Sequence, residues 1–148
     1  MDKLSNETID NLKYILSHKY HIYNAGREID LPRWQLFKHD FSKLLPSEFF
    51  PYKHHFFSDT PPSPKDEKFQ EASSKHKQRN PHHPEYWQTR GKQMPQSLRL
   101  EMVADWYASG KAQNSHRFQT FKSWFSKNKD RLNISDQTRK DIEERLKK

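Results

Sequence analysis

The chain has 148 residues, a formal net charge of +8, and apolar and charged fractions of 31% each. It contains no cysteine, which excludes disulfides and leaves any transition metal to histidine and carboxylate rather than thiolate. No run approaches the roughly 18 apolar residues of a membrane span, and Met1–Tyr14 is polar, without a signal core or cleavage signature. A soluble cytoplasmic protein with no membrane partner is expected.

Ten Phe, six Tyr and four Trp can bury a core despite the low apolar fraction. The length fits one folded domain, residues 1–148. The positive charge points to anionic partners, whether nucleic acid, nucleotides or other phosphates. Surface lysines that only aid solubility explain it equally well.

Three glycines in the whole chain argue against a turn-rich β fold, and helical periods recur, so the predicted class is all-α with six or seven helices. Asn6-Glu7-Thr8 opens a first helix that Ala25-Gly26 ends near Asn24, with Leu12, Ile15, Leu16, Ile22 and Tyr23 on its apolar face. Pro32 starts a second helix through Trp34, Leu36 and Phe37 into His39-Asp40-Phe41-Ser42-Lys43. Pro46-Ser47-Glu48 begins a short helix or turn ending near Tyr52. Pro61, Pro62 and Pro64 enforce a loop across Ser58–Pro64. A helix through Phe69, Ala72 and His76 follows, then the loop Asn80-Pro81-His82-His83-Pro84, with Pro84 suited to a helix's first turn. Ser97–Ala108, Ser115–Asn128 and Ser135 to the end complete the helices.

Histidines and carboxylates form the candidate chemistry. His18 lies at the edge of the first helix's apolar face, and His21 nearly opposite, toward water. Leu98, Met102, Asp105 and Trp106 form one helical stripe, which sets a carboxylate among apolar side chains. Such a carboxylate needs a metal, a cationic side chain or several donors. His39 and Asp40 are neighbours after an apolar run and converge on one centre only if it lies beside the helix; two metals bridged by the Asp40 carboxylate satisfy that geometry. Lys43, one turn beyond Asp40, suits an anion held beside a metal. His82 and His83 sit at a helix start, where the dipole disfavours imidazolium and keeps the rings neutral for ligation. Glu85 is placed to orient one of them. His54, His55 and His116 are expected at the surface.

The order His18, His39-Asp40, His76, His82-His83, Asp105 resembles the ligand order of the HD superfamily of metal-dependent phosphohydrolases. Their "HD-x-x-K" pattern stands here as His39-Asp40-Phe41-Ser42-Lys43. HD-GYP phosphodiesterases carry "HDxGK" and a later "HHE"; here Ser42 replaces the glycine, His82-His83-Pro84-Glu85 is the counterpart, and no Gly-Tyr-Pro follows. The chain is more similar still to a family of small uncharacterised bacterial and phage proteins. Those share "HDxSK" with a Glu and Tyr (Glu48 and Tyr52), an "N-x-HHPE-x-W" segment (Asn80 to Trp87) and "M-x-x-D-W" (Met102 to Trp106). The resemblance spans about residues 13–108 and leaves the helices of 111–148 outside it.

The resemblance implies a helical HD fold with one or two divalent ions, Mn, Fe, Zn, Mg, Co and Ni fitting alike. His18, His39, Asp40 and Asp105 are then the core ligands, and His76, His82 and His83 bind a second metal. Glu48 and Tyr52 border the pocket. The implied function is hydrolysis of a nucleotide or other small phosphate ester or phosphodiester by metal-activated water, with Asp40 and Lys43 catalytic and Lys43, Arg79, Glu48 and Tyr52 contacting substrate. A di-iron oxygenase of the same fold is one alternative. A basic nucleic-acid-binding module without turnover is the other, because Arg117, Lys122, Lys127 and Lys129 are interleaved with Phe118, Phe121, Trp124 and Phe125. The spacing of those aromatics also fits a core stripe.

Overall fold

The computed structural model describes residues 5–60, 63 and 65–148. Pro61, Pro62 and Pro64 of the expected loop, and residues 1–4 of the polar start, lie outside the described residues; Ser58–Thr60 is non-helical as expected. The chain is all-α, with no strand among the described residues. The helices are α1 (Asn6–Glu28), α2 (Arg33–Lys38), α3 (Pro46–Phe57), α4 (Glu67–Arg79), α5 (Pro84–Gln88), α6 (Gln96–Ala112), α7 (Phe121–Asn128) and α8 (Asp136–Arg145), with 3-10 turns at Phe41–Leu44 and Lys129–Arg131. No helix among the described residues is long and apolar enough to cross a membrane. The helices group into two compact units, the first of residues 1–17 and 40–93, the second of 18–39 and 94–148.

Helix α1 supplies chain to both. It buries Asn11, Ile15, His18, Ile22, Ala25 and Ile29, which alternate steps of four and three and so share one face. Leu16 and Tyr23, expected on that face, are exposed instead. The helix also runs through Gly26 rather than stopping there. The glycine is used for closeness: a β-carbon on it would lie 2.2 Å from Leu36 Cδ2 of α2.

The second unit holds the apolar core. Ile22, Ala25, Ile29, Leu31 and Leu36 pack with Leu100, Val103, Ala104, Tyr107 and Ala108 of α6, Phe121, Trp124 and Phe125 of α7, and Ile142 of α8. The predicted α6 stripe is rotated: Met102 and Trp106 are only partly buried, at the core's edge. Helix α7 starts at Phe121, later than Ser115, and Thr120 caps it by accepting from Ser123 N. The Glu28 carboxylate accepts from Phe121 N and Lys122 N, both at 2.9 Å, which suits an anion at a helix N-terminus. Arg145 donates to Ile29 O at 3.0 Å, tying the last helix to the end of α1. The aromatics Phe121, Trp124 and Phe125 are therefore packing residues. His116, expected at the surface, is half-buried beside Tyr107, its Nε2 3.0 Å from Tyr107 O.

In the first unit α3 packs against α4. Helix α3 continues to Phe57, past Tyr52, so that His55 stacks on Phe69 of α4 at 3.7 Å between centroids. His55 is thus half-buried, not a surface residue. Its Nδ1 lies 3.0 Å from Asp66 Oδ2, while Asp66 Oδ1 caps α4 by accepting from Phe69 N. The buried apolar side chains here are Ile15, Phe49 and Ala72, whereas Asn11, Asp40, Glu48, His76, Asn80 and His82 are buried polar ones. Its interior is largely a polar network.

Replacing Gly26 with Ala should gain about 1 kcal/mol of helix propensity and lose about 1–3 kcal/mol to the clash with Leu36. A net loss on urea denaturation is expected, and it should shrink in the Leu36→Ala background. The hydrogen bonds from His55 and Phe69 N hold the Asp66 carboxyl below its usual value. Their stabilisation is present above the ordinary carboxylate value of about 3.9 and is lost as pH falls through the lowered folded value. Asp66→Asn keeps the cap without titrating. The melting-temperature advantage of wild type over this variant should therefore shrink as pH drops from about 5 toward 2.

Candidate metal centre

Three chain segments of the second unit deliver one cluster. His18 comes from the buried face of α1 and is 1% exposed. His39 follows α2, a helix that Pro32 opens and that stops at Lys38 because His39 turns to φ −52°, ψ 129°. Lys19 fixes that end by donating to the carbonyls of Phe37 and His39 at 3.0 and 2.8 Å. Asp105 sits in α6 among the core residues and is 7% exposed.

The three meet. His18 Nε2 lies 3.1 Å from His39 Nε2 and 3.0 Å from Asp105 Oδ1, and His39 Nε2 lies 3.1 Å from the same oxygen. Two ligands bound about 2.1 Å from one ion at right angles stand about 3.0 Å apart. The triangle therefore has the dimensions of one face of an octahedral ligand set.

Its orientation is imposed by a residue the sequence reading missed. His39 Nδ1 lies 2.7 Å from Glu101 Oε1, one turn before Asp105 on α6. A carboxylate accepts, so Nδ1 carries the proton and donates. In neutral His39 the other nitrogen then presents its lone pair to the Asp105 oxygen, a repulsive contact. Either a second proton on His39 or a shared cation resolves it. Gln35 Nε2 donates to Glu101 Oε2 at 2.6 Å, so both Glu101 oxygens are engaged. Burial pushes the Asp105 carboxyl up, but the charge of His39 and the hydrogen bonds from His18 and His39 more than reverse this. They hold it well below the usual carboxylate range.

The first unit builds a second cluster. Asp40 takes a left-handed conformation, φ 53° and ψ 26°, tolerated by Asp better than by most residues but still costly. This corrects the sequence expectation that His39 and Asp40 lie on one helix: they occupy the turn between α2 and Phe41–Leu44. Asp40 Oδ1 is 3.2 Å from His76 Nε2 and 3.1 Å from His82 Nε2, and Oδ2 is 2.6 Å from Lys43 Nζ. The His83 ring lies 5.0 Å from that of His76 and 4.3 Å from that of His82. Asp40, His76, His82 and His83 each offer a ligand atom, all within 4.8 Å of one another.

The supports repeat those of the other cluster. His76 Nδ1 lies 2.9 Å from Glu48 Oε2, and Glu48 is fully buried. Ser42 Oγ donates to the same oxygen at 2.9 Å and Arg79 to Oε1 at 3.0 Å. Burial raises the Glu48 carboxyl, yet hydrogen bonds from His76, Ser42 and Arg79 bring it below its usual value. For His76 burial opposes the charged form, and the bonds to Asp40 and Glu48 outweigh it and raise the imidazole. In the Asn80–Pro84 loop, His83 N donates to Asn80 O at 3.0 Å and Trp87 Nε1 to Pro81 O at 2.7 Å, which seats the two histidines.

The candidates thus divide between units: His18, His39 and Asp105 come together in the second, and Asp40, His76, His82 and His83, with Lys43, in the first. Glu48, expected at the pocket border, orients His76 from below. Tyr52 sets its ring edge-on to His76 at 6.2 Å, and burial raises its hydroxyl. Arg79 is shared between Glu48 and Ser47 Oγ. Glu85 lies 3.7 Å from Lys77 at the surface. Glu101 was detectable in principle, because it stands four residues before Asp105, so that both carboxylates occupy the same side of one helix.

All-α architecture with buried histidine–carboxylate clusters defines a helical protein organised around polar, candidate metal-holding centres. The chain belongs to the family of unknown function DUF5662, whose model matches residues 7–148. No curated protein and no solved structure matches it.

Glu101→Ala should take the acceptor from two buried N–H groups, that of His39 Nδ1 and the one of Gln35 Nε2 not directed at Ser97 O. At about 1–3 kcal/mol for each, the variant should unfold at clearly lower urea, while Glu85→Ala at the surface should leave the midpoint within error.

Proposed function

We propose that the protein is a divalent-metal-dependent phosphohydrolase acting on a nucleotide or other small phosphate ester or phosphodiester. The observation that carries this reading is the triangle of His18, His39 and Asp105, with ligand atoms 3.0–3.1 Å apart and His39 turned by Glu101. One or two ions per chain are part of the proposal, with His18, His39 and Asp105 as one ligand set and Asp40, His76, His82 and His83 as another. A cytoplasmic location also belongs to it.

A divalent cation in such a set supplies Lewis-acid polarisation and a water acidified toward neutral pH. The chain's own residues do the rest. Glu48 and Glu101, accepting from Nδ1 of His76 and His39, hold each ring in the orientation that turns Nε2 toward the carboxylate of Asp40 or Asp105. Lys43, partly exposed beside Asp40, donates to anionic oxygens of the ester. Arg79 adds a second cation on the same unit, and the net charge of +8 gathers anions.

A second reading is favoured by one observation. Two histidines and one carboxylate in the second unit also suit ferrous iron in oxygen-activating proteins. Metal identity separates the two.

Protein purified without added metal should carry one to two divalent ions per chain by plasma mass spectrometry. Asp105→Ala and Asp40→Ala should each lower that content, and phosphate release from a nucleotide and dinucleotide panel should fall at least about 1000-fold. Lys43→Ala should keep the metal and lose about 100-fold in turnover, the loss typical of one removed donor. Metal-free wild-type protein, or Asp105→Ala with full turnover, overturns the proposal. Iron together with oxygen consumption selects the second reading.

A further inference from the structure

The C-terminal aromatics are core, but other large rings of the second unit are not. Trp34 and Phe37 of α2 are 65% and 67% exposed, and Tyr20 of α1 is 65% exposed. Exposed aromatics at this level on a short helix are not a packing need, since α2 docks through Leu36, which is 1% exposed.

Their arrangement is ordered. At about 100° per residue, Arg33, Phe37, Trp34 and Lys38 follow one another round the outer side of α2, within about 140° and opposite the buried pair Gln35 and Leu36. Two cations thus flank two adjacent rings on one face, and Lys38 Nζ lies 5.4 Å from the Trp34 centroid. On α1, Lys19 and Gly26 are among the residues that meet α2 and its end, through Phe37 O, His39 O and Leu36. They lie on the flank of α1 leading from the buried face toward Tyr23 and Tyr20, and Lys19 Nζ lies 6.0 Å from the Phe37 ring centroid. Residues 18–27 and 31–39 contain no Asp or Glu.

We propose that this band, Tyr20, Tyr23, Trp34 and Phe37 with Arg33 and Lys38, binds single-stranded nucleic acid. Bases stack on the rings, and phosphates follow the cations. Charge complementarity selects this occupant. A second copy of the chain would bring Arg33 and Lys38 against their own kind. An anionic bilayer would have to accept the interleaved cations along with the rings, whereas membrane-surface helices keep cations on the polar face. A strand offers stacking faces flanked by counter-charge, and two rings between two cations match that combination. The inference does not depend on metal or on turnover.

The test is fluorescence anisotropy of a labelled 15-residue oligo(dT) with full-length protein in EDTA, so that a failure of the hydrolase reading leaves this one untouched. Wild type should bind, with affinity falling steeply as salt rises. Trp34→Ala/Phe37→Ala should weaken binding at least about tenfold, with an unchanged melting temperature, since both rings are outside the core. Trp34→Phe/Phe37→Tyr, which keeps stacking faces, should retain most of the affinity. Undiminished binding by the double alanine variant overturns the proposal. So does tighter binding to phosphatidylserine vesicles than to the oligonucleotide, or a wild-type dimer that the same variant dissolves in sedimentation.

Discussion

The costliest feature of this molecule is the burial of carboxylates inside helical packing. Asp105 and Glu101 lie on one side of α6, and Asp40 and Glu48 lie inside the first unit, all of them nearly inaccessible. An unpaired buried ion costs several kcal/mol, against a total stability of about 5–15 kcal/mol for an ordinary domain. The fold is possible because imidazoles are delivered to each carboxylate from other segments of chain, joined by Lys43 at Asp40 and Arg79 at Glu48. Much of the local structure around them is the means of delivery. His18 occupies a core position of α1; α2 ends early so that His39 can turn inward; Asp40 accepts a left-handed backbone; and two prolines bracket His82 and His83.

The same requirement explains why each cluster has a second carboxylate behind it. A histidine with one nitrogen donating to Glu48 or Glu101 cannot rotate or change tautomer without losing a buried hydrogen bond. The ring is then locked with its other nitrogen facing Asp40 or Asp105. Such locking keeps each ring between two carboxylates, where a second proton or a shared cation offsets the buried charge. The polar partners that hold Glu48 and Glu101 in turn (Ser42, Arg79 and Gln35) extend the constraint outward until it reaches ordinary surface chemistry.

How much of this was legible in the sequence follows from what each signal depends on. Element type was readable because helical spacing and scarce glycine are local properties. Boundaries failed where a tertiary contact overrode a local cue: Gly26 looks like a stop signal, but it is a contact point for Leu36 within a continuing helix. The face of α1 was misjudged for a related reason. Leu16 and Tyr23 are apolar enough to be assigned inward, yet the buried face gives places to Asn11 and His18 instead. The ligand candidates were visible because histidine beside aspartate is chemically specific. Glu48 and Glu101 were not visible in their roles, since a glutamate on a helix is usually a solvated one. Only the observation that Glu101 shares its side of α6 with Asp105 hints otherwise.

Aromatic residues show the limit of composition most directly. Two stretches of this chain mix rings with cations, residues 117–129 and residues 33–38. By composition they suggest the same thing. The difference lies in which positions face the core. In α7 the aromatics recur at positions that coincide on the inner side, so packing takes them, and the lysines are left to solvent. In α2 the inner side is already filled by Gln35 and Leu36, and the rings fall with the cations on the outer one. A ring that packing does not need remains exposed to water at a hydrophobic cost of roughly 25 cal/mol per Å². Two such rings on a helix of six residues, set between an arginine and a lysine, therefore carry a cost that packing within the second unit does not offset, because the inner side of α2 is already occupied by Gln35 and Leu36.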